Sequence, residues 1–157
     1  MSHIEMMRLA EQTALKSVCK RAQVGAVVVY ENGRIKTGFN HNNGKCCEGD
    51  DGRTLPSVIH AEMVATGQHL SPLLWGNVMG FKVLYVTRQP CIKCAQLITQ
   101  TGIKSVYYRD VDDKMDGLHW LRLCGISVFN EWIDDQPQAV LERVQRTWAD
   151  RWQEQRT

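Results

Sequence analysis

Phe81-Lys82-Val83-Leu84-Tyr85-Val86-Thr87-Arg88-Gln89-Pro90-Cys91-Ile92-Lys93-Cys94 is the stretch on which the fold turns. Residues 81–87 are rich in β-branched and aromatic side chains, which suits a buried strand. Pro90 has no N–H to give to a strand ladder and stops it. The residues behind it favour a helix over 91–100, with Thr101-Gly102 as its C-terminal stop. Ser105 to Tyr108 reads as the next strand, Met115 to Leu123 as a short helix ended by Gly125, and Ile126 to Phe129 as a last short strand. Strands that alternate with helices in this way build parallel β–α–β units.

Working back toward the N-terminus, helical character covers Val58 to His69. Asn42 to Pro56 is rich in Gly and Asp and reads as a long loop, a length that compact domains usually keep for function. Val24 to Tyr30 and Ile35 to Asn40 read as two strands joined at Glu31-Asn32-Gly33, a hairpin signal because Asn-Gly tolerates positive φ. Ile4 to Lys16 is a helix that would place Met7, Ala10, Ala14, Leu15 and Val18 on one stripe. The whole reads as one domain over residues 1–157: a three-layer α/β/α arrangement around a five-stranded mixed sheet. A further helix is expected over about 137–156, where Val140, Val144, Trp148 and Trp152 recur at four-residue spacing. It packs either on its own domain or on a neighbouring subunit, where Trp is enriched.

The 157 residues suit one sizeable core, and a net charge of +2 does not point to a polynucleotide partner. No apolar run is long enough to cross a bilayer. Glu5, Arg8 and Glu11 break the N-terminal segment, so it does not read as a signal peptide, and the expected compartment is the reducing cytoplasm. Cysteines there are more often free, catalytic or metal-bound than paired. The chain has 6 of them: Cys19, Cys46, Cys47, Cys91, Cys94 and Cys124.

His60-Ala61-Glu62 and Pro90-Cys91-Ile92-Lys93-Cys94 carry the chemistry. Cys91 and Cys94 stand one helical turn apart, and His60 adds an imidazole at the start of another helix. Three protein ligands leave the fourth position of a tetrahedral zinc ion open, which is the mark of a catalytic centre. A structural zinc knot is the competing reading, with Cys46, Cys47, Cys124 or His41 as fourth ligand. Zinc brings the pKa of a water in the open position down to about 7. Glu62, beside the ligand His60, is placed to carry protons, first as base and then as acid.

His-x-Glu followed by Pro-Cys-x-x-Cys is the signature of zinc nucleobase deaminases. Further blocks resemble the deoxycytidylate (dCMP) deaminase family over most of residues 18–128. They are Cys19-Lys20-Arg21-Ala22-Gln23-Val24-Gly25-Ala26, Thr37-Gly38-Phe39-Asn40, Cys46-Cys47-Glu48, Asp51-Gly52-Arg53-Thr54, Leu84-Tyr85-Val86-Thr87 and Tyr108-Arg109-Asp110, with Asp116-Gly117-Leu118 and Gly125-Ile126. The resemblance implies a cytidine-deaminase-like fold, a Zn2+ cofactor and hydrolysis of dCMP to dUMP and ammonia in a homo-oligomer regulated by dCTP and dTTP. It implies Glu62 as catalytic residue and His60, Cys91 and Cys94 as zinc ligands. It also implies substrate contacts: Asn40 to the sugar, Gly25, Ala26 and Ala61 around the base, and Arg21 and Arg109 as cations for the phosphate. Read as residues alone, Arg21 and Arg109 are equally well solvated charges, and Asn40 a turn that closes its strand.

This chain departs from that family's pattern at Val64, where Asn is usual, and at His41-Asn42-Asn43-Gly44-Lys45, which replaces a Gly and a Pro-containing turn. Both lie near the pocket and bring 5-methyl- and 5-hydroxymethyl-dCMP into view as substrates. The loop Gly44 to Gly52, with Cys46, Cys47, Glu48, Asp50 and Asp51, is a candidate for an effector or a second metal, or else a solvated acidic loop. Two other readings stand beside this one: a tRNA adenosine deaminase, and a non-catalytic zinc-binding module.

Overall fold

The computed structural model describes residues 2–67 and 80–130. Helix α1 (His3–Ala14) precedes the hairpin strands β1 (Gly25–Tyr30) and β2 (Ile35–Phe39). Then come α2 (Ala61–Thr66), β3 (Phe81–Arg88), α3 (Ile92–Ile98), β4 (Ser105–Asp110), α4 (Asp116–Leu123) and β5 (Ser127–Asn130). The sheet order is β2-β1-β3-β4-β5. β1 runs antiparallel to β2 and β3, whereas β3, β4 and β5 are parallel, so the sheet is mixed and five-stranded. This is the mixed five-stranded arrangement that the family resemblance implies.

Alternation along the central strands divides the core between two faces. Val27, Tyr85 and Tyr107 stand in register on one face and meet Met6, Met7 and Ala10 of α1. Ala26, Val28, Leu84, Val86, Val106 and Tyr108 face the other way and pack with α2, α3 and α4 through Ala61, Ala65, Ile98, Leu118 and Leu121. Each fully buried Val or Leu contributes about 1.5–3 kcal/mol relative to exposure.

The elements read from the sequence are present, with ends set by local caps. α1 begins at His3 because Ser2 closes a capping box: its hydroxyl accepts from the Glu5 N–H at 3.2 Å, and the Glu5 carboxylate accepts from the Ser2 N–H at 2.8 Å. The stripe is buried at Met7, Ala10 and Ala14, but the helix stops there, and Leu15 and Val18 are 73% and 69% exposed. α2 is shorter than expected because Gly67 turns left-handed, at φ 77°, and ends it. His3, to which the sequence assigns no role, stacks on Tyr107 with ring centroids 4.2 Å apart and anchors α1 to the sheet. The helix expected over about 137–156 lies outside the described residues.

Candidate active site

Each of the two zinc-motif segments ends a loop or strand and starts a helix. His60 is the N-cap residue of α2, held extended at φ −73° and ψ 152°. The segment before it is fixed by a two-way backbone bridge, His41 N–H to Ile59 C=O at 3.1 Å and Ile59 N–H to His41 C=O at 2.8 Å. Cys91 is the N-cap of α3, where its sulfur accepts from the Cys94 N–H at 3.5 Å. Pro90 therefore lies just before the cap, where its missing N–H costs nothing.

The two caps converge. His60 Nδ1 lies 3.2 Å from Cys94 Sγ and 3.6 Å from Cys91 Sγ. All three donor atoms fall within 4.8 Å of one another, and they form the one such His, Cys or carboxylate group among the described residues. Zinc bonds of about 2.3 Å to sulfur and about 2.0–2.1 Å to nitrogen put neighbouring tetrahedral donors roughly 3.5 Å apart. The donor set thus fits zinc in type, number and spacing. The Cys91 thiol is pushed down to about 4, first by the hydrogen bond from the Cys94 thiol and then by His60. The hydrogen bond with Cys91 raises the His60 imidazole above its ordinary value, against the pull of burial.

Glu62 follows two residues after His60, in the first turn of α2, and is only 6% exposed. Burial pushes its carboxyl up to about 7, with His60 opposing. Glu62, His60 and Cys91 share the wall of a cavity of about 350 Å³. That cavity opens where β2, β3 and β4 end and β1 begins, the sheet edge at which α/β proteins hold ligands.

The family is settled by comparison. The model of the "Cytidine and deoxycytidylate deaminase zinc-binding region" matches residues 1–110. This chain belongs to the deoxycytidylate deaminase family of zinc-dependent deaminases. It is 36% identical to the cyanophage S-TIM5 dCMP deaminase, solved in complex with dCMP and dUMP, with a TM-score of 0.69 over 81% of this chain and 94% of that one. It is 32% identical over 113 residues to the deoxycytidylate deaminase of Mycobacterium phage D29, covering 64% of this chain and 88% of that protein. The tRNA-specific adenosine deaminase subunit tad2 of Schizosaccharomyces pombe is 34% identical over 129 residues, 82% of this chain but 29% of that protein. The chain spans about half or less of the length of the first curated relatives it matches.

Within this family member, the structure sorts the expected substrate contacts. Asn40, Arg21 and Ala61 line the cavity. Asn40 is buried and already holds backbone: its Oδ1 accepts from the Val24 N–H at 2.9 Å and its Nδ2 donates to the Ala22 carbonyl at 2.8 Å. It ties the end of β2 to the entry of β1, as a strand-closing residue does. Gly25 and Ala26 are not in the cavity lining; Ala22 and Val24 take that wall. Gly25 faces α1, where an added Cβ would come within 2.5 Å of the Ala14 nitrogen, and Ala26 is sealed in the core with Ala61. Arg109 also lies away from the site, paired with Asp110 at 2.9 Å and with Glu11 of α1 at 3.4 Å.

The cysteines differ from expectation. Cys19 and Cys47 form a disulfide, which joins the long loop to the segment before β1. Cys47 is therefore no ligand for a second metal, and Cys46 is exposed outside any donor cluster of the described residues. Glu48 instead accepts from the backbone N–H groups of Lys20 and Arg21, at 2.8 Å each. Sequence reasoning missed Arg88, Gln89, Asp112 and Lys114, all in the cavity wall. Gln89 holds two of the others: its Nε2 donates to the Lys114 carbonyl at 2.6 Å and its Oε1 accepts from the Asp112 N–H at 2.8 Å. Gln89 and Arg88 precede the recognised Pro-Cys-x-x-Cys motif directly, and that adjacency was the available signal.

Proposed function

We propose that this chain catalyses hydrolytic deamination of dCMP to dUMP and ammonia, with zinc held by His60, Cys91 and Cys94 and Glu62 as the proton carrier. The observation that carries the reading is the convergence of the three donors, two of which, His60 and Cys91, share a cavity wall with the buried Glu62. Zinc in this site would leave one position open and supply a water acidified to a pKa of about 7. Glu62 accepts the proton of the attacking water and delivers it to the ring nitrogen beside the amine-bearing carbon. Water oxygen bonds to that carbon; Glu62 then takes the second proton from the added hydroxyl and hands it to the amine, so that the carbon–oxygen double bond forms as the carbon–nitrogen bond breaks and ammonia leaves. A carboxyl raised toward neutrality by burial both takes and gives protons at small cost. Ala22, Val24 and Val58 supply apolar wall beside the half-buried His60 and Cys91.

The test is ammonia release by the zinc-loaded protein from dCMP, dCTP, deoxycytidine, 5-methyl-dCMP and a tRNA anticodon stem-loop. We expect turnover of dCMP, with 5-methyl-dCMP accepted if the departures at Val64 and 41–45 widen the base pocket. Turnover of the RNA alone would replace this reading with the activity named for the tad2 relative. Assembly into homo-oligomers and control by dCTP and dTTP belong to the same proposal on the strength of the family resemblance. Sedimentation and rate measurements with and without dCTP test both.

A further inference from the structure

Arg88 and Asp112 sit where two cavities meet. The first holds Glu62, His60 and Cys91; the second, of about 420 Å³, adjoins it and shares Arg21, Arg88 and Asp112 in its lining. Asp112 grips one edge of the Arg88 guanidinium: Oδ2 accepts from Nε at 3.2 Å and from Nη2 at 2.5 Å. Both bonds go to one carboxylate oxygen, so the guanidinium is oriented while its Nη1 edge has no partner among the described residues. Asp112 is itself fixed by the buried Gln89. Lys114, on the same wall of the inner cavity, has no ion pair among the described residues. Asp110 and Asp113 also line the outer cavity.

Resting on the reading above, we propose that this shared wall sets the enzyme's preference for a 5′-monophosphate. Arg88, oriented by Asp112, takes the phosphate of a nucleotide whose base lies against Glu62, and Lys114 adds a second positive charge. An oriented guanidinium matches two phosphate oxygens at once. A longer phosphate chain would enter the outer cavity, whose lining adds Asp110 and Asp113, and meet like charge. Asp112 is a positioning residue, and Arg88 touches the substrate.

The experiment is calorimetric binding of dUMP, deoxyuridine and dUTP to the zinc-loaded full chain and to R88Q, R88K and D112N, with dCMP turnover measured on the same samples. Wild type should bind dUMP most tightly. R88Q should weaken dUMP by roughly 10- to 100-fold, the loss of a charge-assisted hydrogen-bonded pair, and leave deoxyuridine unchanged. R88K should fall between, since a point charge replaces a fork, and D112N should raise KM for dCMP with little effect on kcat. K114Q, also on the wall, provides a second reading should R88Q fail to fold, with a loss confined to dUMP. The proposal is overturned if R88Q and K114Q both bind dUMP within about 3-fold of wild type, or if wild type binds dUTP as tightly as dUMP. Wild type that turns over dCMP while R88Q keeps its dUMP affinity rejects this assignment alone. No dCMP turnover and no nucleotide affinity in wild type would reject the deaminase reading with it.

Discussion

The role proposed for Glu62 rests on where it is buried. One residue separates it from His60, so the backbone that places the proposed ligand also places the proposed proton carrier in the first turn of α2. Glu62→Gln keeps the shape and removes the proton. We predict unchanged zinc content and a fall in kcat of about 10²–10⁴-fold, the usual worth of a general acid–base group. Metal analysis beside steady-state rates checks it. Asp112 makes a second prediction at this scale. Burial pushes its carboxyl up, but the Arg88 hydrogen bonds and charge outweigh that and hold it below its ordinary value. A carboxylate with a lowered folded-state pKa stabilises the fold above the unfolded-state value, near 4, and loses that contribution as pH falls through the lower folded value. The pair is partly exposed, so its contribution is below about 1 kcal/mol. Wild type should melt slightly above D112N at pH 6, and the two should coincide near pH 2.

Elements bring the zinc motifs together by close approach. α4 lies on the Pro90–Cys91 backbone at Gly117, where an added Cβ would sit 2.8 Å from the Cys91 carbonyl carbon and closer still to the Pro90 oxygen. Gly117→Ala must move backbone next to the proposed ligand Cys91. It should cost about 1–3 kcal/mol of stability and weaken zinc retention against a chromophoric chelator. Gly117→Ala with wild-type zinc affinity would show that Cys91 tolerates the shift. The strand and helix sequence was legible because alternation and turn residues are local. Which face of the sheet carries the site was not. Gly25 shares its face with Val27, and Arg109 with Tyr107, and that face belongs to α1. Period-two parity alone would have separated them from Ala26 and Tyr108, but nothing local in the sequence says which parity meets the zinc motifs. Caps were legible in part: Ser2 with Glu5 has the spacing of a capping box, yet whether it forms depends on where the helix starts.

At the scale of the molecule, the site lies at one edge of the sheet and draws on segments far apart in sequence. Residues 40, 60–62, 88–91 and 112–114 meet there, each just past a strand end or at a helix start. That His60, Glu62, Cys91 and Cys94 would come together was readable because zinc chemistry asks for those residue types at those spacings. Arg88, Asp112 and Lys114 were not, since charges at a strand end or in a loop have no pattern of their own until the strands align. The Cys19–Cys47 pair is another long-range fact: 28 residues separate the two, and spacing does not reveal pairing. This disulfide closes the loop that borders the cavity. Cys19→Ser with Cys47→Ser should lower stability by about 2–4 kcal/mol in denaturant titrations and leave zinc content unchanged. A double variant as stable as wild type would show that the loop is held by its packing on Val58 and Leu55 instead.

One chemistry at one wall is the central claim, and the most direct measurement of it is product formation from dCMP by zinc-loaded wild type and by Glu62→Gln at equal zinc content. The account predicts dUMP and ammonia in equal amounts from wild type, and essentially none from the variant. Zinc-loaded wild type that leaves dCMP unchanged, or a variant that turns it over at the wild-type rate, would contradict it.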